Sequence, residues 1–137
     1  MNYWLVKFAP FRYSWNDCLR YGRFEIYSVR NPQARNNLRA MQLGDLVLFY
    51  HSQTEKQVMG IMKVIEEAHQ DPTTTDSRWL SVTFEPVRTL KRPVTLSQIK
   101  AEPELVNIGL VKQQRLAVMP LSAGQFNHIV EMEIGKS

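Results

Sequence analysis

The chain has one cysteine, Cys18, three histidines and six glycines among 137 residues, and each scarcity closes off a class of explanation. A lone cysteine forms no internal disulfide, and no cysteine or histidine spacing matches a metal-ligand pattern. Cys18 therefore reads as a small buried hydrophobe, and neither a metal nor a cofactor is expected. No apolar run reaches the roughly 20 residues needed to cross a bilayer, so no membrane partner is expected. Met1-Asn2-Tyr3-Trp4 leads into a strand-like segment without the layout of a signal peptide, and a reducing cytoplasm, or a nucleus, is the expected location. Paired carboxylates, a Gly-rich phosphate loop and a Ser or Cys nucleophile beside a base are all missing, so catalysis is not expected.

What is present suits one compact domain. At 44% hydrophobic, the chain is long enough to bury about two-thirds of its unfolded surface without disulfide or metal staples. No repeat, low-complexity tract or linker divides it, and a monomer is the simplest expectation. The net charge of +4 is unevenly placed: residues 1–45 hold seven basic and three acidic side chains, and the remainder holds ten of each. An excess confined to one third of the chain favours an anionic partner, nucleic acid first.

Local patterns give the elements. Tyr3-Trp4-Leu5-Val6-Lys7-Phe8 is aromatic and β-branched enough for a strand, ended by Pro10. Ser14-Trp15-Asn16-Asp17 has the form of a capping box and predicts a short helix stopped by Gly22. Glu25 to Val29 reads as extended. Asn31 is a good N-cap and Pro32 suits the first helical position, so a second helix follows, with Ala34, Leu38 and Met41 as its buried stripe and Gly44 as its stop. Leu46 to Tyr50 is a central strand leading to His51-Ser52, and Val58 to Ile65 is its hairpin partner. Residues 69–78 read as a loop, and Trp79 to Phe84 alternates as a strand with one solvated face. Thr95-Leu96-Ser97-Gln98 and Ser122-Ala123-Gly124-Gln125 are two more capping boxes, separated by a short strand over Leu116 to Met119. Phe126, Ile129 and Val130 form the inner face of the last helix. Trp4, Trp15 and Trp79 are expected in the core. Five or six strands among four short helices indicate an α+β fold whose mixed or antiparallel sheet is able to close into a barrel.

Several of these segments share a pattern. YWLVK at 3–7, VRN-x-QARNNLRAM at 29–41, GDLVLFYHS at 44–52 and RLAVMPLS at 115–122 resemble the EVE domain, along nearly the whole chain. The resemblance implies a PUA-like fold, a small and strongly curved β-barrel with short flanking helices, related to the YTH domains that read methylated adenine in RNA. It also implies binding of modified bases, often in DNA, in a pocket beside the barrel. The pocket motifs differ from the usual pattern. Phe8 and Ala9 stand where most members have Ser-Glu, and Ile26, Tyr27 and Ser28 stand where they have Trp-Asp-Gly.

Reading an unpaired base takes an aromatic surface for stacking, amide or guanidinium groups for its edge, and cations for the phosphates. Arg30, Asn31, Gln33, Arg35 and Asn36 supply edge and phosphate groups around one helix start, where free N–H groups also favour an anion. Asn31 serves equally well as the helix cap alone, and Lys7 points either into a pocket or outward. Tyr50, His51 and Ser52 end a buried strand at the rim of the sheet. Phe8 and Tyr27 are the candidate stacking surfaces. The leading expectation is a non-catalytic module with a pocket for a flipped-out base, modified or not, in DNA or RNA. Two alternatives stand beside it: an enzyme acting on a nucleotide or small anionic metabolite, and a protein-interaction module whose pocket is vestigial.

Overall fold

The computed structural model describes residues 1–10, 12–26, 29–53 and 55–134, and every structural statement below concerns those residues. All three capping boxes form. Ser14, Thr95 and Ser122 each accept from the backbone N–H three residues on, and the side chains of Asp17, Gln98 and Gln125 reach back to the cap. They open α1 (Trp15–Tyr21), α3 (Leu96–Lys100) and α5 (Ala123–Glu131). Asn31 caps α2 (Pro32–Ala40) by accepting from the Ala34 N–H at 3.0 Å. A short α4 (Gly109–Lys112) and two turns of 3₁₀ helix, Pro103–Leu105 and Met132–Ile134, complete the helical part.

Six strands form one mixed sheet: β1 (Tyr3–Phe8), β2 (Phe24–Ile26), β3 (Leu46–His51), β4 (Gln57–Gln70), β5 (Leu80–Thr95) and β6 (Val118–Leu121), in the order β2-β5-β4-β3-β1-β6. Only β1 and β3 run parallel. The expected α+β class is therefore found, but the expected barrel is not closed, since no ladder joins β2 to β6. The two edges explain this. β2 has three residues, β6 contains Pro120 with no N–H to donate, and the Val118 carbonyl of β6 accepts from the Asn37 side chain of α2 at 2.7 Å.

Other expectations also need correction. Gly44 does not cap α2: the helix ends at Ala40 with Met41 extended, and Gly44 (φ 84°) instead makes the turn into β3, its N–H donating to the Val64 carbonyl. The β5 segment has no solvated face over residues 81–84. Ser81, Val82, Thr83 and Phe84 are all buried: β2 and β4 pair along both edges of the strand, and the Ser81 and Thr83 hydroxyls donate to the Ile26 carbonyl and the Glu66 carboxylate. β4 extends to Gln70, so His69 lies in a strand and not in a loop.

The core centres on Phe49. Phe8 stacks on it at 4.1 Å and Trp15 meets it edge-on at 5.1 Å. Gly60 on β4 lies beneath the Trp15 indole, where a Cβ would fall 2.2 Å from Cζ2. Trp15 is buried and held by its Nε1–H to Thr89 Oγ1, so it has no room to yield. Gly60→Ala is expected to destabilise the fold by about 3 kcal/mol, the upper end of typical overpacking costs, measurable as a shift in the urea midpoint.

Candidate functional site

Parallel pairing aligns the ends of β1 and β3: Lys7 lies opposite Tyr50, and Phe8 opposite His51. Side chains alternate faces along a strand, so the two pairs point to opposite sides of the sheet.

The Phe8–His51 side is core. Phe8 is buried against Phe49. His51 is buried as well, and its Nε2 accepts the backbone N–H of Trp15 at 2.9 Å, satisfying a free donor in the first turn of α1. With Nε2 as acceptor, the ring hydrogen sits on Nδ1, which donates to Glu55 at 2.8 Å. Both nitrogens thus have partners within the fold.

The Lys7–Tyr50 side opens into a cleft of about 440 Å³. Ser52 closes its rim, tied to the end of β1 through its N–H and Oγ, both donating to the Phe8 carbonyl. Four cations line the cleft, Lys7, Lys56, Lys100 and Arg115, with no carboxylate among the lining residues. They come from β1, the β3–β4 connection, α3 and the segment before β6. Lys7 donates to the Gln114 carbonyl at 2.7 Å, and burial lowers its pKa, so an incoming anion would relieve a desolvated ammonium. Burial pushes the Tyr50 hydroxyl up to about 12, which keeps it a neutral hydrogen-bonding group at the cleft wall. Two lining residues, Gln53 (φ 73°) and Lys56 (φ 48°), adopt the left-handed backbone that glycine prefers. Each conformation costs of order 1 kcal/mol, and strain of this kind concentrates at ligand sites.

The arginine- and amide-rich segment lies apart from this cleft: none of residues 30–36 lines it. Arg30 and Arg35 instead pack on Trp79, with guanidinium carbons 4.7 and 5.4 Å from the ring, and Arg78 adds a third at 5.1 Å. Arg30 also pairs with the buried Asp71 at 3.2 Å. Trp79 was expected in the core but is only half-buried, and its ring packs against these arginine side chains. Asn31 is spent on the helix cap, Gln33 is exposed, and Asn36 accepts from Arg39 at 2.9 Å. Tyr27 lies outside the described residues. The expected single site therefore divides into a cleft holding Lys7, Tyr50 and Ser52 and a separate arginine–tryptophan stack. Lys56, Lys100 and Arg115 escaped sequence reasoning because no local spacing connects three cations that the fold alone brings together.

Comparison with known proteins shows the family and the fold. The family model for the EVE domain matches residues 2–132. The chain belongs to the EVE domain family. Among curated EVE relatives it is 32% identical to mouse thymocyte nuclear protein 1, over 96% of this chain and 74% of that protein. It is 34% identical to the human protein, over 77% of this chain. The chain spans only 53% and 57% of the chicken and human relatives' lengths. Among solved structures, protein Atu2648 of Agrobacterium tumefaciens superposes with a TM-score of 0.95 at 39% identity, covering 97% of this chain and 93% of that one. Human THYN1 protein in complex with DNA containing 5-methylcytosine superposes with 0.92 at 29% identity, each chain covered fully. A YTH domain of Zygosaccharomyces rouxii, in complex with N6-methyladenosine RNA, matches at 0.60 and 11% identity over 96% of this chain and 86% of that one, a likeness of fold alone.

Proposed function

We propose that this EVE domain is a non-catalytic module that binds nucleic acid, with the Lys7–Tyr50 cleft taking one flipped-out base and its flanking phosphates. The observation that carries the reading is a cleft ringed by four cations and no carboxylate. Cations without competing acids attract phosphate, and the volume of about 440 Å³ falls in the range of small-ligand pockets, roughly 300–1,000 Å³. Lys7, Ser52, Gln53 and Gln114 supply edge and phosphate donors, and Tyr50 forms the wall. The kinship with a protein solved on 5-methylcytosine DNA supports nucleic acid as the polymer and a modified base as one candidate.

The test is a titration of the whole chain with single-stranded and duplex oligonucleotides, with and without 5-methylcytosine or N6-methyladenine, at two salt concentrations. Binding to single strands should weaken with salt, log K falling by about 0.7 per phosphate contact for each tenfold rise in salt. Salt-insensitive or millimolar binding to every oligonucleotide would sink the reading. A preference for one modified base at fixed salt would name the pocket's ligand.

A further inference from the structure

A second cluster lies at the other end of the sheet. Glu25 on β2 and Glu66 on β4 both pair with Thr83 of β5, so the three residues form one row across three strands. His69 is three residues beyond Glu66, a spacing that in a regular strand would put it on the opposite face. The register here shifts, however: Glu66 opposes Thr83 while His69 opposes Ser81, so three steps on β4 match two on β5. This bulge turns His69 onto the carboxylates' face, and bulges that re-aim one side chain are frequent beside functional sites. The nearest ligand atoms of Glu25, Glu66 and His69 all lie within 4.8 Å of one another.

The hydrogen bonds fix how these groups are presented. His69 Nδ1–H donates to the Glu67 carbonyl at 2.9 Å, leaving Nε2 aimed at Glu25 and 3.7 Å from Glu66. Thr83 Oγ1 donates to Glu66 at 2.7 Å and orients that carboxylate. A histidine whose far nitrogen is anchored to a carbonyl, and a carboxylate held by a hydroxyl, are the outer-shell arrangement of metal ligands. A neutral Nε2 lone pair facing two carboxylates is repulsive until a cation sits between them. A proton is one cation that fits, and a metal ion is the other. The side chains are 30–55% exposed, so an ion can enter from solvent.

We propose that Glu25, Glu66 and His69 form a three-ligand site for a divalent first-row metal ion such as zinc, with its remaining positions open to water. Imidazole and carboxylate suit that class of ion, and bond lengths of about 2.0–2.2 Å require the exposed carboxylates to close in by only a rotamer adjustment. His128 gives an internal contrast: its two nitrogens meet Glu102 and Glu104 separately, at 2.7 and 2.8 Å, which makes an ion-pair clamp with no common focus. Sequence spacing could not reveal the site, because its ligands lie on two strands joined through a third.

The experiment is calorimetric titration of the chelator-treated full chain with zinc chloride near neutral pH, with cobalt(II) absorption reporting coordination. One ion per chain is expected, with a Kd of about 10 μM or tighter. His69→Ala and Glu25→Gln should each weaken it at least about 100-fold, and Thr83→Val about tenfold, as loss of a supporting partner does. His128→Ala should leave it unchanged. All these residues but Thr83 are at least partly exposed, and thermal melts with and without zinc check that each variant folds. A wild-type Kd weaker than about 100 μM, or binding that His69→Ala or Glu25→Gln leaves unchanged, would overturn the proposal.

Discussion

Replacing Lys7, Lys56, Lys100 and Arg115 together by glutamine is expected to weaken binding of a single-stranded oligonucleotide by about 10³-fold at low salt. Each partly exposed cation that reaches a phosphate contributes about 1 kcal/mol, or roughly fivefold in affinity, and four such losses multiply to that order. The salt dependence should flatten in step, by about 0.7 in slope per cation for a single strand. The two readouts are linked, because a variant that had merely lost its fold would lose binding without the stepwise change in slope among the single substitutions. Lys56 and Lys100 are the cleanest single tests, being exposed side chains on separate segments facing one cleft. Lys7→Gln also removes the bond to the Gln114 carbonyl, so its effect should exceed theirs. Arg20, which does not line the cleft, serves as the control, and Arg20→Gln should change affinity less than twofold, about 0.4 kcal/mol. If the quadruple variant binds like the wild type while its circular dichroism is intact, nucleic acid does not bind at this cleft.

The largest stability effect is expected at Asp45. This carboxylate is 1% exposed and accepts three hydrogen bonds: from the Asn2 N–H at 3.0 Å, the Trp4 Nε1–H at 3.0 Å and the Gln42 N–H at 2.9 Å. It therefore joins the first residues, β1 and the connection between α2 and β3. Asp45→Ala removes all three acceptors and leaves donors in a space that water does not readily refill. At about 1–3 kcal/mol for each stranded donor, with partial relaxation, the loss should be about 4 kcal/mol. Domains of this size are stable by only about 5–15 kcal/mol, so a large share of the total would go. Asp45→Asn keeps one oxygen and should lose about half as much, a graded result that distinguishes hydrogen bonding from simple loss of volume. Urea denaturation with an unchanged m-value is the measurement. A loss under about 1 kcal/mol for the alanine variant would show that the three bonds are replaced by others or by solvent.

The residues that were read correctly from sequence make their decisive contacts within a few positions of themselves. Ser14, Asn31, Thr95 and Ser122 each cap a helix by reaching three residues along the chain, and a sequence window contains both partners. Ala34, Leu38 and Met41 are buried because helical periodicity puts them on one side. Membership of the EVE family was legible for a related reason: the segments that carry it are contiguous and occur in order.

Side-chain destinations across the sheet were not legible. Phe8 and Lys7 are adjacent in sequence, yet one packs on Phe49 and the other enters a cleft, and which does which depends on the register of β1 against β3. The same holds for His51, a candidate site residue at the rim by sequence, whose Nε2 caps α1 from 36 positions away. Trp79 looked like core until Arg30 and Arg35 were seen on its face. The sequence by itself determined the starts of the four capped helices, the buried helical stripe, the places of the strands though not the lengths of β4 and β5, and the family. The tertiary structure alone decided that the sheet stays open, that four scattered cations line one cleft with Tyr50, and that one bulge turns His69 toward Glu25 and Glu66. Capping and helical burial are set by neighbours along the chain, whereas strand register and bulges are set by partners tens of residues away, and only folding brings those together.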